Sequence, residues 1–87
     1  MLRTVILCTC PKCGSNASIL TCKHSTVTER AIYCANTQCR INTGWTFSEL
    51  PELIRRWNRG IGLEHSNGLP FIEYDKHRQY ITQVVDV

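Results

Sequence analysis

Long apolar runs are missing from this 87-residue chain. No stretch reaches the roughly 20 apolar residues that a membrane-crossing helix needs, which excludes a helical membrane anchor. The run from Leu2 to Cys8 is also too short for a secretory signal, so the chain reads as intracellular, in the cytoplasm. Acidic residues are scarce at one end: seven in all, and Glu29 alone among the first 47 residues. There is no glycine-rich loop to cradle a phosphate and no pairing of a nucleophile with a base. His24, His65 and His77 are scattered among polar neighbours. An enzyme is not expected, nor a small-molecule substrate.

What is abundant is cysteine, with six in a chain of 10.0 kDa. A chain this short buries little surface and calls for a covalent or metal staple. In a reducing compartment cysteines serve as thiolate ligands more readily than as disulfides. Cys10 and Cys13 are separated by two residues, Cys34 and Cys39 by four, and twenty residues lie between the pairs. Each pair suits one loop that turns both sulfurs toward a single ion, and four sulfurs complete a tetrahedral shell. One structural zinc held by Cys10, Cys13, Cys34 and Cys39 is the expectation, with no open position for catalysis. Cys8, two residues before Cys10, can compete as a ligand or be an ordinary buried thiol. Cys22 and His24 form a second nearby pair, read as a small apolar residue and a turn histidine.

The charge is uneven. Residues 1–47 hold five basic residues against one acidic, a balance of +4, while the remainder balances at −1. Zinc with four thiolates carries −2, so the metallated chain falls to about +1 from its formal +3. That leaves weak steering toward nucleic acid, with Lys12, Lys23, Arg30 and Arg40 as candidate phosphate contacts.

The fold class expected is a small α+β zinc-ribbon-like domain. Short antiparallel strands are read at residues 3–8, 17–21 and 26–33, with a turn at 23–25 and a closing strand at Trp45-Thr46-Phe47. A helix follows, capped by Ser48, with Pro51 in its first turn and a stop at Gly60. Leu50, Leu53, Ile54 and Trp57 make its apolar stripe, and Trp57 is expected to pack on the ribbon. Arg55, Arg56 and Arg59 near its end are a solvated edge or a docking surface for acidic protein or phosphate. Residues 1–60 are taken as the ribbon plus helix, with 60–68 a loop. Residues 61–87 are an extension on the same domain, with 69–87 a hairpin turning near Asp75-Lys76 or partly helical.

Two resemblances emerge from these motifs. Cys10-Pro11-Lys12-Cys13-Gly14, followed by Thr28-Glu29-Arg30 and Cys34-Ala35-Asn36-Thr37-Gln38-Cys39, resembles the Ogr/Delta family of phage late transcription activators. Asn36 and the four-residue second loop are the discriminating features, and Phe47 stands where the family has an aromatic. The resemblance spans about residues 10–47. It implies one structural zinc, binding to duplex DNA at promoters, and contact with host RNA polymerase. Leu53-Ile54-Arg55-Arg56-Trp57-Asn58-Arg59, placed after two cysteine pairs, resembles the Lar-like restriction-alleviation proteins instead. That likeness implies a protein-binding modulator of a host defence or restriction system. Both point to a bacteriophage or prophage.

Overall fold

The computed structural model describes residues 2–71 and 80–86. β1 (Leu2–Cys8) is rich in apolar and β-branched residues, and the pleat buries Val5 and Leu7 while Thr4 and Ile6 face out. β2 (Ala17–His24) and β3 (Val27–Cys34) form an antiparallel hairpin in register from Ala17 opposite Cys34 to His24 opposite Val27. Its two-residue turn is Ser25-Thr26, one step beyond the turn expected from the sequence. A separate antiparallel ribbon joins β1 to β4 (Tyr80–Asp86), with Leu2 opposite Asp86 and Cys8 opposite Tyr80.

The outer edge of β3 is occupied by irregular chain. The Cys34 amide donates to the Ile41 carbonyl, the Thr43 amide to the Ile32 carbonyl, and Arg30 and Thr46 exchange both bonds at 2.8 and 2.9 Å. Bridges at Tyr33–Asn42 and Arg30–Thr46 set three steps on β3 against four on its partner, which is a bulge. Gly44 sits in it at φ +73°. The expected closing strand is thus a single bridge at Thr46. The ladder continues outward, because Asn42 and Glu64 exchange backbone bonds and the Phe71 amide donates to the Leu63 carbonyl. Residues 63–71 turn through Ser66-Asn67-Gly68, and His65 meets Phe71 edge to face at 5.4 Å.

These pairings correct the reading of the C-terminal part. The segment 69–71 pairs with 63–65, and 80–86 pairs with β1, so the two arms expected to form one hairpin go to different partners. The turn proposed at Asp75-Lys76 lies outside the described residues. Distant pairing of this kind leaves no local signature, so alternation alone could not supply the partner of β4. Leu63 is 2% exposed and joins the main core.

The helix α1 (Leu50–Arg59) carries the expected stripe: Leu50, Leu53 and Trp57 are buried and Ile54 is half-buried. Its cap differs. Glu49 holds the N-cap position without a side-chain bond, because the Ser48 hydroxyl is engaged with Thr46 Oγ1 at 2.9 Å. Gly60, at φ 71°, closes the other end with its amide on the Arg56 and Trp57 carbonyls. The core gathers Val5 and Leu7 from β1, Ala17, Ile32 and Cys34 from the hairpin, Ile41, Leu63, and Leu53 and Trp57 from α1.

Two consecutive helix residues lock α1 onto β1. The fully buried Trp57 donates its indole N–H to the Cys8 carbonyl at 2.8 Å. The Asn58 side-chain oxygen Oδ1 accepts from the Cys8 amide at 2.8 Å, and the side-chain amino group donates to the Ile6 carbonyl at 3.0 Å. The Asn58 side chain is chemically a peptide group, and it occupies one rung of a ladder on the β1 edge that β4 leaves open.

Candidate metal centre

The first cysteine loop follows from its turn chemistry. Gly14 takes φ +77°, and its amide bonds the Cys10 carbonyl at 3.0 Å while the Cys10 amide bonds the Ser15 carbonyl at 2.7 Å. The Lys12 amide faces the Cys10 sulfur at 3.4 Å. The second loop repeats that device: the Asn36 amide faces the Cys34 sulfur at 3.4 Å. Asn36 does more. Its side-chain oxygen accepts from the Gln38 amide at 2.9 Å, its carbonyl accepts from Cys39 and Arg40, and its amino group lies 3.9 Å from the Cys13 sulfur. The longer second loop is therefore wound around Asn36, and Arg40 leaves it in the left-handed region at φ 55°.

The four sulfurs converge. Cys10 and Cys39 sulfurs are 3.6 Å apart, Cys13 and Cys34 sulfurs 3.4 Å, and all four lie within 4.8 Å of one another. Sulfurs bound to one zinc at ~2.3 Å in a tetrahedron would sit about 3.8 Å apart, so the donor set fits one such ion. No disulfide joins any of the six cysteines in this structure. Cys10 and Cys34 are buried, Cys39 half-buried, and Cys13 exposed at the rim.

Protons compete with the metal here. Burial pushes the Cys10 thiol up to about 11, only partly offset by the amides of Cys13 and Lys12. Burial also raises Cys34, assisted by the neighbouring Cys13 and Cys10 sulfurs. Burial acts upward on Cys13 as well, but the Ser15 hydroxyl and amide and the Cys34 and Cys39 thiols outweigh it and bring it down to about 6. At neutral pH a metal must therefore displace protons from Cys10 and Cys34, and its affinity falls as the medium is acidified. Replacing Asn36 by alanine leaves all four sulfurs and removes the contacts that organise them. A loss of about 10- to 100-fold in metal affinity is expected, read by competition with a chromophoric chelator.

Among the described residues these four are the one group of three or more donors close enough to share an ion. Cys8 is buried beside the helix, its sulfur 3.8 Å from the Asn58 carbonyl, and takes no part. Cys22 is exposed on β2, and His24 lies 3.6 Å from Glu29.

The comparisons with family models, curated proteins and solved structures find no match for this chain.

The seven candidate contact cations lie on different elements and in different states. Lys12 in the first loop, Lys23 near the hairpin turn and Arg59 at the helix end are exposed. Arg40 stacks on the Tyr33 ring at 4.8 Å. Arg56 donates to the Thr43 and Gly62 carbonyls at 3.3 and 3.1 Å, tying α1 to the outer ladder. Arg55 pairs with Glu52 at 3.1 Å, and Arg30 is half-buried in β3. The strut formed by Arg56 and the amide clamp of Asn58 escaped the sequence reading. An asparagine directly after a core tryptophan was the available signal for the clamp. No helix among the described residues is long and apolar enough to cross a membrane.

Proposed function

We propose that this chain is a non-enzymatic transcription activator of a phage or prophage, stapled by one structural zinc, that binds duplex DNA and host RNA polymerase. The observation that carries the reading is the second cysteine loop. Asn36, the residue on which the Ogr/Delta resemblance turns, bonds the loop internally and approaches the Cys13 sulfur. Four thiolates fill the zinc shell, so the ion organises a surface and takes no substrate. The reducing cytoplasm of a bacterial host is where such thiolates persist.

Of the seven candidate cations, Lys12, Lys23 and Arg59 are exposed, their side chains held by no contact among the described residues, and the proposal gives them the phosphate contacts. Three contacts give a log–log salt slope of about −3 or slightly shallower on duplex DNA. Fluorescence anisotropy across a salt series measures it. A salt-independent signal, or none at low salt, sinks the DNA half of the proposal.

A second reading has its own observation. The Trp57-Asn58 pair that carries the Lar-like resemblance is built into the fold as the clamp on β1. On that reading the chain binds a host defence or restriction protein. Affinity capture from a bacterial lysate, with and without nuclease, separates the two. Polymerase subunits support the first, and restriction or defence proteins the second.

A further inference from the structure

The ladder on the outer edge of β3 ends at Arg30, although the strand runs on to Val27. Alternation directs the Thr28 amide and carbonyl to this same edge, since Arg30 and Ile32 both bond outward. The neighbouring chain has turned away there, with the Ser48 amide on the Thr46 hydroxyl at 3.2 Å. Against the open edge lies a cleft of about 330 Å³ lined by Thr26, Val27, Thr28, Arg30, Phe47 and Glu49. The Arg30 Nε is buried and has no hydrogen-bond partner. That atom lies out of reach of the cleft, but it belongs to a guanidinium that lines the cleft and that no carboxylate pairs with among the described residues.

We propose that this cleft docks an extended, singly acidic peptide segment of a protein partner, which adds a strand beside β3 at Thr28 and sets one carboxylate on Arg30. An open edge supplies main-chain bonds to a peptide, and the flanking side chains supply the selection. Phe47, 64% exposed, offers an apolar wall for a β-branched residue two steps from the acid. Glu49 shares the cleft and repels a second negative charge, which disfavours a polyphosphate chain and limits the ligand to one carboxylate. The inference rests on the partner half of the proposed function and names the chemistry that partner presents. It withdraws Arg30 from the DNA contacts, so failure of DNA binding and failure of this cleft are separate results.

The test is selection of displayed random heptapeptides on the zinc-loaded full chain. Enrichment of a single aspartate or glutamate among alternating β-branched residues is expected. The selected peptide should lose about ten- to a hundredfold in affinity when its own acid is changed to the amide, and similarly with Arg30→Gln. Thr28→Pro removes the edge N–H at a position where proline is tolerated, and it should weaken binding too. Circular dichroism and zinc content establish that both variants fold, and the acid-to-amide exchange needs no variant. No enrichment, enrichment without an acid, equal binding of acid and amide peptides, or displacement by a single-stranded oligonucleotide overturns the proposal.

Discussion

Cys34→Ser is expected to abolish stoichiometric metal binding and to leave the chain without cooperative unfolding at 25 °C. Cys34 ends β3, is fully buried, lies in the core, and receives the amide of Asn36. A structural zinc supplies about 10–16 kcal/mol of apparent folding energy at neutral pH, against a net stability of roughly 5–15 kcal/mol for an ordinary domain. Three remaining thiolates hold zinc poorly, and the hydroxyl that replaces the fourth is buried where water cannot solvate it. Cys22→Ser is the matched control. Its side chain is exposed and outside the cluster, so the change should stay within about 0.5 kcal/mol of the parent. Native mass spectrometry for zinc and circular dichroism melts for folding check both. Equal damage from the two substitutions would mean that the ligands are misassigned.

Trp57→Ala should be the most damaging change away from the metal. Removing a buried tryptophan side chain costs about 3–5 kcal/mol through lost transfer energy and the cavity left behind. The Cys8 carbonyl loses the indole N–H as well, which adds about 1–3 kcal/mol if nothing replaces it. The sum approaches the whole stability of a small domain. Because Trp57 and Asn58 both act on β1, the ribbon should detach from the helix before the cysteine loops open. Urea unfolding of the metal-loaded protein reads the loss. Trp57→Phe separates the terms, since it keeps most of the packing and forfeits the hydrogen bond. If Trp57→Ala unfolds at the parent's urea midpoint, the tryptophan is not the pillar described.

What could be read from the sequence was local. The four cysteines announced themselves through loop spacing, and the structure brings those sulfurs together and leaves Cys8 and Cys22 out. The apolar stripe of α1 was equally legible, because its period of about 3.6 residues is a property of neighbours along the chain. Non-local pairing was not. Nothing in Tyr80 to Asp86 says that its partner is Leu2 to Cys8, because alternation reveals a strand and not its neighbour. Ser48 looked like a cap until a hydroxyl two residues away took its oxygen. Charge was the least legible feature. A sequence counts Arg40 and Arg56 as cations available to phosphate, but a ring stands beneath one and two carbonyls face the other. What looked like a basic surface is in part internal bracing.

The chain between β3 and the described end at Phe71 contains no strand longer than a bridge, yet backbone bonds run through Thr46, Asn42, Glu64 and Phe71 in succession. A connection of this length without such bonds would keep much of its backbone freedom. Here that freedom has already been given up during folding, and the fixed backbone of one residue represents about 1–2 kcal/mol of conformational entropy. A partner that lands on this face meets a preorganised array, so little of its binding energy goes to ordering the surface. For a domain of this size, such rigidity is one way to make a small contact area selective.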